Sequence, residues 1–231
     1  MPARSIAWVG QFDIAAFGEL TSDPSRVRML LSLMDGQARP ASELAKIAGV
    51  GAPTASAHLK KLLIGGLVAL QPVGRHRYYR LAGDAVAEAL EAVSLLRPVR
   101  TPERTDPKLA AFTAARTCWR HVAGRLGVAL FAALDRKRLI AIGEGELTLT
   151  AAGIDLCRSL DLEPARWPAG KPCVDLTERR LHLGGPLGSL FCAHFFESGW
   201  IARVDDGRAL RVTSKGRREF AHKLGLEWQG R

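Results

Sequence analysis

The chain has 231 residues, 47% of them hydrophobic and 24% charged, which is the composition of a soluble globular protein. No apolar run reaches the roughly 18 residues that a membrane-spanning helix needs, and residues 1–12 lack the pattern of a signal peptide, so we expect a cytoplasmic protein without a membrane partner. The formal net charge of +10 favours anionic partners, and four cysteines without CxxC spacing argue against a disulfide framework.

Five helices and one hairpin are predicted in the first part of the chain. Asp23-Pro24 is a helix-start signal, because aspartate caps free N–H groups and proline fits the first turn. Two short helices then flank the turn Gly49-Val50-Gly51, and β-prone runs on both sides of Pro72-Val73-Gly74 indicate a hairpin. The predicted helices cover residues 6–20, 24–36, 42–48, 53–64 and 84–97, and the predicted strands cover 67–71 and 77–81.

A linker is predicted at residues 98–107, where three prolines lie among alternating charges. It separates a first domain, 1–97, from a second domain, 108–231. The first domain has the element order of a winged helix-turn-helix, that is, helix, turn, second helix and β-hairpin. The fold class predicted for the whole chain is mainly α with small β-hairpins (α+β).

The second domain carries an internal repeat. Residues 121–127 match residues 182–188 at an offset of 61, and residues 147–153 match residues 210–216. Each copy predicts a helix, a turn, a short strand pair and a helix capped by a threonine. The domain is therefore expected to contain two repeated, winged-helix-like helix-plus-hairpin halves.

The helix at 53–64 has the features of a DNA recognition helix. Between Arg39 and Arg80 there are seven Lys or Arg residues and one acid, Glu43, so this stretch would attract a phosphate backbone. Hydroxyl and imidazole groups at the helix start suit base or phosphate contacts, and lysines further along suit phosphates. The predicted DNA-binding residues on the helix and the hairpin tip are Thr54, Ser56, Ala57, His58, Lys60, Lys61, Arg75, His76 and Arg77.

Three runs carry a resemblance to a known family: ELA at 43–45, TASAHLKKL at 54–62 and GRHRYYRL at 74–81. With their spacing they resemble the bacterial ArsR/SmtB-type regulators over roughly residues 12–97. The resemblance implies a homodimeric repressor that binds double-stranded DNA and is released by an inducer, with Ser56, His58 and Arg75 at positions of family DNA contacts. It also implies a dimer built from the first and last helices of this domain, and hence an inverted-repeat operator.

The inducer is left open by the sequence. The segments where family members place metal ligands, 41–44 and 84–96, contain no Cys or His, so sensing is expected in the second domain. There, Cys118 and His121 are spaced i and i+3, as on one helix face, and Cys173 and His182 bracket the start of the second half. These four residues could form a zinc- or cadmium-type soft-metal site, although structural packing is the favoured explanation, since His121 and His182 are equivalent repeat positions and cysteines often pack as small hydrophobic residues. A redox-sensing thiol, with Cys173 as the candidate, is a further alternative.

An organic inducer is the third alternative, bound between the two halves in a pocket lined by Trp119, Trp167, Phe195 and Trp200. A different function, a winged helix used only for protein–protein contacts, is disfavoured because the basic recognition face is retained. An enzyme is not expected, since no nucleophile motif, phosphate loop or dinucleotide fingerprint is present.

Overall fold

The computed structural model describes residues 14–73, 76–96, 106–163, 166–204 and 207–230. The fold is mainly helical with small antiparallel hairpins, as the sequence predicts. The helices are α1 Ile14–Thr21, α2 Pro24–Ser32, α3 Ala41–Ala48, α4 Ala52–Ile64, α5 Asp84–Leu96, α6 Pro107–Ala114, α7 Gly124–Arg136, α8 Ala151–Arg158, α9 Gly185–Glu197 and α10 Ser214–Leu224, with a short 3-10 helix at Leu33–Asp35. The strands are β1 Arg39–Pro40, β2 Val68–Val73, β3 His76–Leu81, β4 Arg116–Cys118, β5 His121–Ala123, β6 Ile140–Ile142, β7 Leu147–Leu149, β8 Lys171–Val174, β9 Leu181–Gly184, β10 Ile201–Arg203 and β11 Leu210–Val212.

The chain divides by its contacts into two compact units. The first unit comprises residues up to 33 together with 37–86, and the second comprises residues 34–36 and those from 87 onward. This division falls inside α5, earlier than the predicted linker at 98–107. The reason is that α5 makes its polar side-chain contacts with hairpins of the second unit, which the sequence could not reveal.

The first unit has the helix starts that its sequence predicts. The Asp23 carboxylate accepts hydrogen bonds from the backbone N–H groups of Ser25 and Arg26 and thereby caps α2. The part of the first predicted helix before Ile14 lies outside the described residues, and the described part, α1, buries no residue. The core of this unit is formed by one apolar stripe from each following helix, and includes Met29, Leu30, Leu33, Leu44, Leu59 and Leu62.

A three-stranded antiparallel sheet in the order β1-β3-β2 completes the first unit. Its hairpin is longer than predicted, because β2 continues through Pro72 to Val73, which pairs with His76. The predicted turn at 72–74 is therefore wrong by two residues. Proline lacks an N–H donor, but that does not prevent a place in a short ladder, where Pro72 stands opposite Arg77.

The second unit shows one order of elements twice. After α6, the order is hairpin, helix, hairpin and helix, from β4 to α8 and again from β8 to α10. In each copy the predicted helix, strand pair and threonine-capped helix are present, as α7 to α8 and as α9 to α10, but a hairpin that the sequence did not predict precedes them, β4–β5 in the first copy and β8–β9 in the second. Strands of three residues are too short to show an alternating pattern in the sequence.

Glycines at matching positions of the two halves make matching close contacts. A Cβ at Gly153 would lie 2.0 Å from the Leu139 carbonyl oxygen, and a Cβ at Gly216 would lie 2.0 Å from the Trp200 carbonyl oxygen. The N–H of each glycine donates to the threonine that caps its helix, Thr150 or Thr213. These contacts explain why glycine and threonine recur together in the repeated motif.

Helices α7 and α9 contribute equivalent positions to the core of the second unit. Its residues include matched apolar positions of the two helices, namely Leu126 and Leu187, Leu130 and Phe191, and Leu134 and Phe195. In the part of the chain that the structure describes, no helix is long and apolar enough to cross a membrane.

Candidate functional site

Helices α3 and α4 form a helix-turn-helix. Helix α3 ends at Gly49, whose φ of +70° is the left-handed conformation that glycine adopts without strain. Helix α4 begins at Ala52, after Gly51, and proline at its second position leaves no N–H group without a partner there. The side of α4 that faces the core carries Ala55, Leu59 and Leu62.

The opposite side of α4 is exposed and contains most of the predicted DNA-binding residues. Thr54, Ser56, Ala57, Lys60 and Lys61 are all exposed. The capping position is occupied by Gly51, so no side chain competes for the free N–H groups of the first turn. Free N–H groups, hydroxyls and ammonium groups together form a surface suited to phosphates and base edges.

His58 lies in a different environment from its neighbours on α4. Its side chain is 14% exposed, with Nε2 at 3.8 Å from an Asp23 carboxylate oxygen and Nδ1 at 3.5 Å from an Arg26 guanidinium nitrogen. The imidazole is thus turned toward the start of α2. This placement gives His58 a role in joining α4 to α2.

The hairpin β2–β3 contributes the remaining predicted contacts. Arg77 and Arg80 are exposed on β3. Arg75 lies outside the described residues, as does the side chain of His76. A DNA contact by Arg75 or His76 therefore stays a prediction.

The two hairpins that start the halves of the second unit each carry one cysteine and one histidine. Cys118 stands directly opposite His121 in β4–β5, and Cys173 stands directly opposite His182 in β8–β9. The interpretation of Cys118 and His121 as neighbours on one helix face is therefore wrong. They are cross-strand neighbours across a tight turn in which Trp119 has a φ of +55°.

The structure brings these four predicted residues together. One ligand atom from each of Cys118, His121, Cys173 and His182 lies within 4.8 Å of the others. The closest ring nitrogens, Nδ1 of His121 and Nε2 of His182, are 3.1 Å apart. Three of the residues are buried, and Cys173 is half-buried. We refer to this set as the Cys2His2 cluster.

The protonation of the Cys2His2 cluster is uneven. The hydrogen bond between the two sulfurs, assisted by His182, lowers the pKa of Cys173, whereas the same bond, with burial, raises the pKa of Cys118. Burial lowers the pKa of His121 to about 3, and the neighbouring His182 and Lys171 act in the same direction. The cluster therefore favours a Cys173 thiolate beside a neutral His121, both of which are states that bind metals.

Asp175 is a fully buried carboxylate behind His182. One oxygen accepts a hydrogen bond from Arg116 at 2.8 Å, and the other accepts one from the N–H of Gly124 at 2.6 Å. Burial tends to raise the pKa of Asp175, but the Arg116 guanidinium and the backbone donors outweigh it and hold the pKa at about 2. The second oxygen lies 3.9 Å from Nδ1 of His182. That buried nitrogen has no hydrogen-bond partner among the residues that the structure describes.

Glu91 of α5 is a further polar group at the cluster. Its Oε1 lies 2.6 Å from the sulfur of Cys118, whose thiol donates to it. Burial raises the pKa of Glu91, and the hydrogen bond from Cys118 partly opposes that rise. The single proton of the Cys118 thiol thus faces two acceptors, the Glu91 carboxylate and the Cys173 sulfur.

Comparison with known proteins identifies the helix-turn-helix of the first unit. Residues 23–69 match the model of a family described as bacterial regulatory protein, arsR family. The regulator YdfF of Bacillus subtilis, described as an uncharacterized HTH-type transcriptional regulator, is 34% identical over 93% of this chain and 98% of its own length. The chain belongs to the ArsR family of bacterial transcriptional regulators. It therefore has a DNA-binding winged helix.

Other HTH-type transcriptional regulators match part of the chain. The regulator CmtR of Mycobacterium tuberculosis is 36% identical over 42% of this chain and 83% of CmtR. A solved structure described as the cadmium metal-sensor CmtR from that organism is 35% identical, covers 41% of this chain and 98% of its own, and has a TM-score of 0.32. The YdfF match extends over both units, so the second unit is shared with that relative.

The aromatic residues predicted to line a pocket in this ArsR-family chain lie in different surroundings. Phe195 stacks on Trp200 with ring centroids 5.1 Å apart, and both are buried in the core. The cavity that Phe195 lines measures about 20 Å³, which is room for one water molecule. Trp167 borders a separate, open depression of about 600 Å³, and Trp119 lies in the β4–β5 turn.

Sequence reasoning missed two residues of the site, Asp175 and Glu91. Both are acids, and acids are usually solvated, so nothing local marked them as buried. Their one visible signal is position, since Asp175 follows Cys173 by two residues and Glu91 lies in an otherwise apolar helix. Asp106-Pro107 was also a readable helix start, because Asp106 caps α6 as Asp23 caps α2.

Proposed function

We propose that this regulator is a homodimeric repressor that binds an inverted-repeat operator in the cytoplasm and leaves it when a soft metal ion occupies the Cys2His2 cluster. The observation that carries the sensing part is the convergence of four donor atoms within 4.8 Å, one Cys–His pair from each hairpin. Thiolate and imidazole ligands favour zinc or cadmium over hard ions such as magnesium or calcium.

The residues fit such an ion in a second respect. Metal-binding histidines usually direct their other ring nitrogen toward a carboxylate, which fixes the orientation of the ring. Asp175 is positioned for this role, because its Oδ2 lies 3.9 Å from the unpartnered Nδ1 of His182. Bound there, the ion would place a positive charge between the two cysteine thiolates and would link the two hairpins.

The proposal of a homodimer is supported by apolar side chains that the described part of the chain leaves exposed. Ile14 of α1 is 81% exposed, and Val93 and Leu96 of α5 are 50% and 79% exposed. Leu90, on the same helix, is buried within the chain and so is not available to a second copy. Two-fold symmetry of the dimer would place two α4 helices on inverted half-sites.

Metal binding is tested by titrating Cd(II) into untagged, chelator-stripped protein. We expect one equivalent per chain, with a thiolate-to-metal charge-transfer band that Cys118→Ser and Cys173→Ser each weaken or abolish. The matched control is Cys157→Ala, because Cys157 is fully buried in the core away from the cluster. A stoichiometry near zero in the parent protein would contradict the metal proposal.

Release from DNA is tested by fluorescence anisotropy with a duplex from upstream of the regulator's own gene. We expect Cd(II) to weaken binding of the parent protein by about tenfold, within the usual range of allosteric coupling. The Cys157→Ala variant should lose DNA affinity on addition of Cd(II) as the parent does. The double variant Cys118→Ser/Cys173→Ser should keep its affinity. No binding to any duplex at low salt would favour a protein–protein interaction module instead.

A thiol switch is a second candidate, favoured by the contact between the two sulfurs and the lowered pKa of Cys173. In that case hydrogen peroxide would oxidise the two thiols to a disulfide and be reduced to water. Loss of two free thiols together with DNA release, in protein that ignores Cd(II), would favour this candidate. An organic inducer has weaker support, because the cavity lined by Phe195 has room for about one water and the larger depression beside Trp167 is open to solvent.

A further inference from the structure

Helix α5 is held in the second unit by polar contacts along one of its faces. The Glu88 carboxylate lies 2.5 Å from the Lys171 ammonium group, Glu91 accepts from Cys118, and the Leu95 carbonyl oxygen accepts from Arg179 at 2.9 Å. Positions 88, 91 and 95 are spaced i, i+3 and i+7, so they share one face of the helix.

The partners of this face belong to the same two hairpins that carry the Cys2His2 cluster. Lys171 lies on β8 two residues before Cys173, and Arg179 lies in the loop that leads to His182. The contact of Glu91 differs from the other two, because its partner is itself a cluster residue. The Glu88–Lys171 pair is also about half exposed, so solvent screens it, whereas the Glu91 contact is partly buried, with Cys118 on its buried side.

We propose that Glu91 transmits occupation of the cluster to α5, which rests on the metal-sensing function proposed above. In the metal-free chain the Cys118 thiol donates to Glu91. Cysteine binds metal as the thiolate, so when the sulfur–metal bond forms the S–H bond breaks and the proton passes to solvent. Glu91 then loses its donor and faces a sulfur that can only accept.

The consequence for DNA binding follows from the order of the chain. Helix α5 begins at Asp84, and only Ala82 and Gly83 separate it from β3 of the DNA-binding unit. A change in how α5 is held is therefore passed directly to the strand that carries Arg77 and Arg80. Glu91 acts as a positioning residue in this scheme, since it lies on α5 and acts through its contact with the proposed metal ligand Cys118.

The test compares Glu91→Ala with the conservative Glu91→Gln. Alanine removes the acceptor, so metal-free Glu91→Ala should bind the operator duplex as weakly as the Cd(II)-loaded parent does, about tenfold below the metal-free parent, and Cd(II) should change its affinity less than twofold. Glutamine keeps an oxygen that accepts from the Cys118 thiol, so Glu91→Gln should keep most of the metal response. Glu88→Ala, on the same face but half exposed, is the surface control and should respond as the parent does.

Two further readouts separate coupling from misfolding. Glu91→Ala should still take up one Cd(II) with the parent's charge-transfer band, which reports an intact cluster. Hydrogen exchange of the α5 amides should speed up in the parent when Cd(II) binds and should already be fast in metal-free Glu91→Ala. A full metal response in Glu91→Ala would overturn the role of Glu91 while leaving metal sensing intact, whereas a parent that binds no Cd(II) would overturn both.

Discussion

The Nδ1 atom of His121 lies 3.1 Å from the Nε2 atom of His182, although 61 residues separate the two histidines in the chain. The glycines near the two histidines pack reciprocally, each against the histidine of the other half. A Cβ at Gly127 would lie 3.4 Å from the Cβ of His182, and a Cβ at Gly188 would lie 3.1 Å from the Cβ of His121. Each half therefore packs a glycine against the histidine of the other half, and the pair forms only when both halves are in place.

Gly127→Ala and Gly188→Ala should both destabilise the second unit. The new methyl group would lie 2.3 Å from the Val122 carbonyl oxygen in the first case and 2.4 Å from the Leu183 carbonyl oxygen in the second. Forced shifts of this kind cost about 1–3 kcal/mol. Urea unfolding would measure the loss. Gly143→Ala is the control, because its nearest neighbour would be an ordinary 3.7 Å away, and equal stability of all three variants would refute the close packing.

The four cysteines should differ in their reaction with a thiol reagent in the folded protein. Cys173 is half-buried, and its lowered pKa favours the reactive thiolate, so it should react first. Burial raises the pKa of Cys157 to about 11 and that of Cys192 to about 12, so both should react only after unfolding. Peptide mapping after timed alkylation reads this order. Prior addition of Cd(II) should protect Cys173, and early labelling of Cys157 or Cys192 would contradict the assignment.

The substitutions Lys60→Ala and Lys61→Ala should each weaken DNA binding. For each variant, the affinity should fall by about the same factor whatever the DNA sequence. Both ammonium groups are exposed on α4 and suit phosphate contacts, so each substitution should reduce the slope of log affinity against log salt by about one. Fluorescence anisotropy titrations at several salt concentrations would measure this slope. Arg158→Ala removes an exposed cation of the second unit and should leave the slope unchanged. An unchanged slope in both lysine variants would exclude α4 as the DNA-facing helix.

His58→Ala should lower stability through the contact of His58 with α2. The imidazole lies 3.8 Å from the Asp23 carboxylate that caps α2, so the two residues should be energetically coupled. A double-mutant cycle with Asp23→Ala, measured by denaturant unfolding, should give a coupling energy of at least about 0.5 kcal/mol. If the two substitutions have additive effects on stability, and if His58→Ala lowers DNA affinity whereas Asp23→Ala does not, His58 would instead be a direct DNA contact.

Leu96→Glu should shift the protein from dimer to monomer and weaken its DNA binding. Leu96 is 79% exposed at the end of α5, and a carboxylate there would oppose burial against a second copy. Sedimentation velocity would measure the change. Ile142→Glu is the matched control, since Ile142 is 54% exposed on β6 and should leave the oligomeric state unchanged. A parent protein that sediments as a monomer would refute the homodimer.

The first unit could be predicted well because its signals are local. Asp23-Pro24, Gly49 and the stripe Ala55, Leu59 and Leu62 each act within a few residues of the helix they define. The side-chain environment of His58 could not be predicted, because it depends on Asp23, 35 positions earlier, being turned toward α4. The sequence pattern of α4 does not distinguish the half-buried His58 from its exposed neighbours on the same helix face.

The cluster was predictable in membership and unpredictable in geometry. The repeat placed His121 and His182 at equivalent positions, which is a long-range relationship that the sequence does contain. Helix and hairpin could not be distinguished for residues 116–123, since three-residue strands carry no periodic pattern. The roles of Asp175 and Glu91 depend on contacts with Arg116 and Cys118, far away in the chain.

The division of the donors, two on each hairpin, has a thermodynamic consequence. An ion held by all four would be a removable cross-link that closes a loop between histidines 61 residues apart. Its binding energy would then appear as folding energy of the second unit, which should melt at a higher temperature as the free ion concentration rises. Neither half would hold the ion by itself, so a chain cut between the two halves would lose the response completely and not by half.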